Sequence, residues 1–243
     1  MTTLRAIVTG HSQGLGSGIV EALLAERFDV LGLSRSAQPA APGLRQVPID
    51  LADPDALAGW LDSGTLAAFV SGASRVLLVN NAGTVAPIAP AGMQGAAAIA
   101  QAVSLNISAP LMLANGFIAA TDPASDRRIL HISSGAGRKP YPGWSVYCAT
   151  KAALDMHARA VAEDAPVGLR IESLAPGVID TGMQARIRAT PAERFRLRED
   201  FEAMKRDGAL AGAGERGAAI LRHLLSAGFG QDPVSDIRKV SAA

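Results

Sequence analysis

Thr9-Gly10-His11-Ser12-Gln13-Gly14-Leu15-Gly16 joins the first strand-like run of the chain to its first helical stretch. The glycines of this turn let the backbone bend tightly and approach a pyrophosphate held at the N-terminus of the helix. The alternative is a glycine turn that only packing requires, but a position between a strand and a helix favours a dinucleotide site. We expect cofactor contacts from six residues of the turn: Gly10, Ser12, Gln13, Gly14, Leu15 and Gly16.

Short apolar runs alternate with longer alanine-rich stretches along the chain. Most of the apolar runs are nearly continuous, as in strands that are covered on both faces. This alternation predicts an α/β fold, a single Rossmann domain over residues 1–243, with a doubly wound parallel sheet of about seven strands and helices on both faces. The expected strands are Leu4–Thr9, Asp29–Leu33, Gln46–Ile49, Val76–Val79, Arg128–Ser133, Gly168–Leu174 and Pro233–Lys239. The expected helices are Gly14–Arg27, Pro54–Ser71, Gln94–Thr121, Val146–Asp164, Pro191–Arg206 and Glu215–Ala227.

Two of these helices have clear start signals. Asp53 provides an N-cap directly before Pro54, a residue that is favoured at the first helical position. Thr190, Pro191 and Glu193 repeat that arrangement and add the pattern of a capping box.

Composition excludes several classes of protein. Of the 243 residues, 49% are hydrophobic, which is enough to bury a sizeable core. Lys+Arg 23 against Asp+Glu 22 leaves a charge of +1, and the aromatic content is 4%, so no nucleic-acid partner is expected. One cysteine cannot form an internal disulfide and indicates a reducing compartment.

The same reading places the protein in the cytoplasm. No segment approaches the roughly 20 apolar residues that a membrane span needs, so no membrane partner is expected. Residues Met1 to Arg5 run directly into a strand without the apolar region of a signal peptide. His11 has no neighbouring metal-ligand residue, and no metal site is expected.

Motifs spanning residues 9 to 181 resemble those of the short-chain dehydrogenase/reductase family, in the same order along the chain. They are Thr9-Gly10-x-x-x-Gly14-x-Gly16, Asp50-Leu51, Asn80-Asn81-Ala82-Gly83, Asn106, Ser133-Ser134, Tyr147-x-x-x-Lys151, Pro176-Gly177 and Thr181. The resemblance implies a Rossmann fold, a nicotinamide dinucleotide cofactor and an oxidoreductase acting on CH–OH groups.

Tyr147 and Lys151 are four residues apart on a predicted helix, so their side chains share one face. A lysine ammonium beside a tyrosine stabilises the phenolate and lowers the pKa of the tyrosine. The resemblance makes Tyr147 the proton donor to a carbonyl oxygen and gives Lys151 a second role on the nicotinamide ribose. It also implies that Ser134 donates a hydrogen bond to that oxygen, and that Asn106 holds a water that relays protons to Lys151.

The remaining cofactor contacts come from loops that follow the other strands. The resemblance implies that Asp50 accepts from the adenine amino group, that Leu51 covers the ring and that Gly83 passes close to the adenine ribose. It also implies that Ile179 and Thr181 bind the nicotinamide carboxamide. Asn80 is expected to brace the sheet beside the cofactor. The other expected contacts are Asn81, Ala82, Tyr147, Lys151, Pro176 and Gly177.

The end of the second strand indicates which cofactor is bound. An acidic residue there would bind the 2′-hydroxyl of NAD, whereas an arginine suits the 2′-phosphate of NADP. Ser34 and Arg35 stand at this point, and Leu31–Leu44 contains no Asp or Glu, so NADP(H) is favoured over NAD(H). One departure from the family pattern is Gln13, where many NADP-preferring relatives carry a basic residue.

Two stretches around residues 140–148 and 173–188 resemble the bacterial benzil reductases, close to the sepiapterin reductase branch. This second resemblance implies an NADPH-dependent carbonyl reductase that reduces an aromatic ketone or a vicinal diketone. Ser134, Tyr141, Trp144 and Met183 are the expected substrate contacts, and residues 183–208 the substrate lid. Whether Phe195 and Phe201 line the pocket stays open.

Three alternatives remain at this point. A 3-oxoacyl thioester reductase and a hydroxysteroid reductase or dehydrogenase would share the catalytic residues and differ in the pocket. A protein of another class would bind NADP as a sensor without chemistry. The family resemblance also implies a homodimer or homotetramer that forms through the helices at Gln94–Thr121 and Val146–Asp164.

Overall fold

The computed structural model describes residues 3–240 of the chain. Its parallel sheet has seven strands in the order β3-β2-β1-β4-β5-β6-β7. The strands are β1 Leu4–Thr9, β2 Asp29–Ser34, β3 Leu44–Pro48, β4 Arg75–Asn80, β5 Asp126–Ile132, β6 Leu169–Ala175 and β7 Val234–Asp236. The strand order reverses between β1 and β4, and ligands of such sheets bind at this point, beyond the carboxyl ends of the strands.

Helices cover both faces of the sheet. They are α1 Gly14–Ala25, α2 Pro54–Asp62, α3 Thr65–Val70, α4 Ala96–Val103, α5 Ala109–Ala120, α6 Ser145–Asp164, α7 Gly182–Arg188, α8 Arg198–Arg206 and α9 Ala213–Leu225. One core contains α1 and α9, and a second core contains residues of α2, α3, α5 and α6. The predicted doubly wound Rossmann fold is confirmed.

α1 and α9 cross in direct backbone contact. A Cβ atom at Gly18 would lie 2.3 Å from the carbonyl oxygen of Ala213, and one at Gly217 would lie 2.4 Å from the carbonyl carbon of Gly18. Any larger residue at either position would push the two helices apart.

The helix predictions hold at some positions and fail at others. Asp53 caps α2, since its Oδ1 accepts from the N–H groups of Asp55 and Ala56 at 3.0 and 3.1 Å. The single helix expected over Pro54–Ser71 is interrupted at Gly64, which has φ +76°.

The helix expected over Pro191–Arg206 begins only at Arg198. Thr190 does not cap it, because its Oγ1 donates to the carbonyl oxygen of Arg186 at 2.9 Å, just after α7. Residues 191–197 form turns in place of a helix, and these turns bury Phe195 completely. No helix was expected at α7, although Thr181 stands at its N-cap position and Gln184 follows three residues later.

A continuous helical stretch, Ala96–Ala120, contains a π-helical segment at Ser104–Ser108. By length and composition alone this stretch could cross a membrane, with a mean hydropathy of 1.5, so the expectation that no segment approaches a span is wrong on those criteria. Leu113 and Phe117 are nevertheless buried in the core against the sheet, as in an ordinary Rossmann layer.

Candidate active site

α6 brings Tyr147 and Lys151 to the carboxyl end of β5. Lys151 Nζ donates to the main-chain carbonyl of Ile132 at 2.7 Å and lies 5.7 Å from the centre of the Tyr147 ring. Both residues are buried, with 7% of Tyr147 and 5% of Lys151 exposed. The shared helix face that the sequence predicts is therefore directed at the end of the sheet.

Ser134 is the second residue after β5 and caps the short 3-10 turn Gly135–Gly137. Its Oγ accepts from the N–H of Ala136 at 3.1 Å, which leaves the hydroxyl hydrogen available for another acceptor. The Ser134 side chain lies close enough to Tyr147 to lower the pKa of the tyrosine.

Burial dominates the protonation of this pair. Desolvation raises the pKa of Tyr147 to about 12, and this outweighs the opposing influence of Ser134. Desolvation also lowers the pKa of Lys151 to about 8, against the attraction of the Asp155 carboxylate. The expected lowering of the tyrosine pKa is therefore wrong for this structure. A raised value keeps the proton on Tyr147 at neutral pH, as a proton donor requires.

Asn106 lies in the π-helical segment and is 1% exposed. Its Oδ1 accepts from the N–H of Thr84, and its Nδ2 donates to the carbonyl oxygen of Thr84, both at 2.8 Å. Nδ2 also lies 3.1 Å from Thr150 Oγ1, next to Lys151 in the chain. The amide thus braces the loop after β4 against α6, and its part in a water relay stays a prediction.

The glycine turn forms the cradle that the sequence predicts. Gly10 has φ +63° and Gly14 has φ +57°, and a Cβ at Gly16 would lie 2.1 Å from the carbonyl oxygen of Gly10. Asn81 holds the turn from the other side, because its Nδ2 donates to the carbonyl oxygens of Thr9 and Gly10 at 3.0 and 3.2 Å. The turn thus excludes a side chain at Gly16 and lies beside the N-terminus of α1, an arrangement that fits a dinucleotide pyrophosphate.

The family model for short chain dehydrogenases matches residues 5–192. The chain belongs to this family. This short chain dehydrogenase is accordingly an oxidoreductase that binds an NAD(P)(H) nucleotide, acts on CH–OH groups and takes small-molecule substrates.

Individual relatives extend over nearly the whole chain. A benzil reductase ((S)-benzoin forming) of Bacillus cereus is 36% identical over 90% of this chain and 92% of its own. A sepiapterin reductase of Bos taurus is 31% identical over 84% of this chain and 83% of its own. The crystal structure of a short-chain dehydrogenase/reductase from Burkholderia vietnamiensis is 45% identical, covers 98% of both chains and superposes with a TM-score of 0.71.

In this short chain dehydrogenase, other expected cofactor residues lie in the loops that follow β4 and β6. Thr181 lies beside the glycine turn, with its Cγ2 3.2 Å from the position of a Cβ at Gly14. Pro176 and Ile179 are buried, and Gly177 has φ +77° in the turn that leads to Thr181. Gly83 lies at the catalytic end, where its Cβ would meet Asn106 Oδ1 at 3.3 Å and Lys151 Nζ at 3.7 Å.

The end of β2 and the loops after β2 and β3 contain four further residues that were expected to contact the cofactor: Ser34, Arg35, Asp50 and Leu51. Ser34 is buried and Arg35 is exposed. Asp50 is exposed, and its Oδ1 accepts from the N–H of Ala52 at 3.0 Å. Leu51 packs in the core with 4% exposed, so most of its side chain faces the protein and not a ligand.

Two of the four expected substrate residues, Tyr141 and Trp144, belong to an aromatic cluster that we define as Tyr141, Trp144, Tyr147, Phe195 and Phe201. Trp144 stacks on Phe195 and meets the Tyr147 ring edge-on at 5.4 Å. Trp144 is 5% exposed and Phe195 is fully buried, so both act mainly as packing residues. Tyr141 and Met183 are half-buried at the margin of the cluster, which suits residues that contact a ligand.

Sequence reasoning missed one buried residue that supports the catalytic pair. Asp155 is 2% exposed, and its Oδ1 accepts from Ser133 Oγ and Ser173 Oγ, each at 2.7 Å. Arg138 donates to its Oδ2 at 2.9 Å. The signal was its spacing, four residues after Lys151 on the same face of α6.

Proposed function

We propose that the protein is an NADPH-dependent carbonyl reductase that reduces one carbonyl of a vicinal or aryl diketone. The observation that carries this proposal is that Ser134, Tyr147 and Lys151 lie together at the end of β5, where Tyr147 belongs to the aromatic cluster. The similarity to a relative named benzil reductase supports the substrate class. The similarity to a sepiapterin reductase supports a carbonyl reductase more broadly.

Each catalytic residue has a role that follows from its contacts. When bound, the reduced cofactor supplies the hydride. Tyr147 donates its hydroxyl proton to the carbonyl oxygen, and burial keeps that proton in place until the oxygen becomes basic. Ser134 donates a second hydrogen bond to the same oxygen and polarises the carbonyl. The ammonium of Lys151 stabilises the phenolate that Tyr147 leaves behind.

NADPH is the proposed cofactor because of the charge at the end of β2. Arg35 is exposed beside the buried Ser34, and a guanidinium there suits a 2′-phosphate. A carboxylate at this point would instead favour the 2′-hydroxyl of NADH. The proposed site also contains Ser12, Gln13, Leu15, Asn81 and Ala82 around the cradle.

The aromatic cluster around Tyr147 favours a diketone substrate with flat apolar substituents. Residues 183–208, which include α8 and most of α7, would act as a lid, since Phe195 and Phe201 contact Trp144 at the start of the catalytic helix. The enzymatic alternative is a 3-oxoacyl thioester or a hydroxysteroid at the same catalytic residues. A carbonyl panel that follows NADPH and NADH oxidation separates these substrates. Efficient thioester reduction without diketone reduction would overturn the proposal.

We also propose a homodimer or homotetramer in the cytoplasm. In the most apolar part of Ala96–Ala120 only 28% of the residues are buried. Val103 and Met156 are 38% and 61% exposed. A second copy of the chain packed on α4, α5 and α6 would cover these apolar side chains. Light scattering after size-exclusion chromatography tests this, and a monomer at micromolar concentration would contradict it.

A further inference from the structure

His11 lies inside the protein although it belongs to the glycine turn. Only 1% of the residue is exposed, and its Nε2 is 2.8 Å from Gln46 Oε1 on β3. The ring occupies the space beside Gly32, because a Cβ at Gly32 would lie 2.5 Å from the Cγ of His11. Gly32 pairs with Gln46 in the register of β2 and β3. The imidazole therefore crosses β2 and reaches the edge strand.

Gln46 in turn holds the loop that follows β2. Its Oε1 accepts from the N–H of Gln38 at 2.8 Å, and its Nε2 donates to the carbonyl oxygen of Gln38 at 3.0 Å. These two bonds fix the orientation of the amide. Oε1 must then accept from His11 as well, so His11 carries its proton on Nε2.

The loop that is held in this way contains Arg35. At its start, Ser34 Oγ donates to the carbonyl oxygen of Ser36, and the carbonyl oxygen of Ser34 accepts from the N–H of Ile49 at 3.0 Å. At its end, Gln46 holds both backbone groups of Gln38. The exposed Arg35 thus stands in a short loop that is anchored on both sides.

We propose that His11 and Gln46 are positioning residues that set the preference for the 2′-phosphate of the cofactor. They hold residues 34–38 in one shape, so that Arg35 reaches the phosphate without a further cost in ordering the loop. The chain of contacts links the turn that takes the pyrophosphate to the loop that takes the 2′-phosphate. This inference rests on the proposed preference for NADPH and adds the residues that produce it.

The competing explanation is that His11 only fills space beside Gly32. In that case a phenylalanine, which keeps the ring and loses the N–H donor, would preserve cofactor selectivity. If the hydrogen bond matters, His11→Phe would loosen Gln46 and affect NADPH more than NADH, since NADH has no 2′-phosphate.

The test measures the Kd of NADPH and of NADH by titration calorimetry, without substrate, for the wild type, His11→Phe and Gln46→Met. We expect the Kd of NADPH to rise roughly tenfold in Gln46→Met, the loss of one or two ordinary hydrogen bonds, and that of NADH by less than about threefold. Because the two residues act in one chain, the double variant should be no more than about twofold weaker than Gln46→Met alone. The kcat at saturating NADPH should stay within about twofold, since the transition state is unaffected.

Gln38→Ala is the matched control, because Gln46 binds only the backbone of Gln38. It should leave the ratio of the two Kd values unchanged. His11→Gln, which retains an N–H donor, should lie closer to the wild type than His11→Phe, and this pair keeps the test available if Gln46→Met does not fold.

Two results would overturn the inference. If the wild type prefers NADPH and neither variant changes the ratio of the two Kd values, the inference is refuted and the proposed cofactor is not. A wild type that binds NADH at least as tightly as NADPH refutes the proposed cofactor together with it.

Discussion

The indole of Trp144 stacks on the ring of Phe195, with their centres 5.0 Å apart and their planes inclined by 12°. Trp144 precedes the catalytic helix and Phe195 lies between α7 and α8, so this contact joins the proposed lid to α6. The same indole covers the edge of Tyr147. Packing of the lid therefore contributes to the burial that raises the pKa of the tyrosine.

Replacing Tyr147 by phenylalanine should abolish ketone reduction and leave the Kd of NADPH within a few-fold of the wild type. Phenylalanine keeps the ring that packs against Trp144 and removes only the proton donor. Loss of general acid catalysis costs about 10²–10⁴-fold in rate. Single-turnover kinetics and a fluorescence titration with NADPH measure the two quantities. Turnover near the wild-type rate would refute the assignment.

Reduction should slow as the pH rises above about 8. Burial lowers the pKa of Lys151 to about 8, so the lysine loses its charge above that value and no longer stabilises the phenolate. Tyr147, with a pKa of about 12, keeps its proton over the same range. A single deprotonation predicts a fall of about tenfold per pH unit in the limit. Lys151→Arg retains its charge and should not show this decline, although its overall rate will differ. A wild-type rate that is flat to pH 10 would contradict the role of Lys151.

The fold should lose stability in mild acid through His131. Burial is the main cause that lowers the pKa of His131 from 6.5 to about 3. Between these values the unfolded chain binds a proton that the folded chain does not. The free energy of unfolding therefore falls as the pH drops below about 6.5, by up to about 1.4 kcal/mol per pH unit for this one group. Stability is fully present above pH 6.5.

Urea denaturation at pH 7 and pH 5 measures this slope. In His131→Gln the slope should be shallower, because the titrating group is absent. His157, whose Nδ1 is 3.1 Å from His131 Nε2 and whose pKa burial also lowers, leaves a residual slope in the same direction. Identical slopes in the wild type and the variant would show that His131 does not control the acid limb.

The sequence predicted those parts of the site that depend on local spacing. The glycine turn and the pair Tyr147 and Lys151 follow from positions within one turn or one helix face. The direction of the tyrosine pKa could not be predicted, since spacing shows that a lysine is near but not how deeply both are buried. The role of His11 also escaped prediction, because its partner Gln46 is distant in the chain and meets it only through the register of β2 and β3.

Arg35→Asp should shift the cofactor preference from NADPH towards NADH. The substitution removes a charge-assisted partner of the 2′-phosphate and introduces repulsion, worth roughly 10- to 100-fold in the Kd of NADPH. The Kd values of both cofactors, measured by calorimetry, give the ratio. Arg222→Asp, exposed on α9, changes the net charge equally and serves as the control. A ratio that moves equally in both variants would indicate a general charge effect.

The last prediction concerns which residues distinguish an aryl diketone from a small one. Tyr141 and Met183 are half-buried at the margin of the aromatic cluster, whereas Trp144 is almost completely buried within it. Tyr141→Ala and Met183→Ala should therefore raise the KM for benzil more than the KM for 2,3-butanedione. An aromatic contact contributes about 0.5–1.5 kcal/mol, which predicts a difference of about two- to twelvefold.

Trp144→Ala should act in another way. It removes a buried ring and should lower the free energy of unfolding by about 3–5 kcal/mol. The milder Trp144→Phe should change kcat for both diketones in parallel, because the indole supports the lid and Tyr147 and does not discriminate between substituents. Steady-state kinetics with the two substrates separate these cases, since they share the reacting carbonyl pair and differ only in apolar contact. One reduction should give the hydroxyketone and stop there, because the remaining carbonyl has lost the electron-withdrawing neighbour that activated it. If Trp144→Phe raises the KM for benzil alone, the indole contacts the substrate directly, and the assignment of Tyr141 and Met183 as the discriminating residues is wrong.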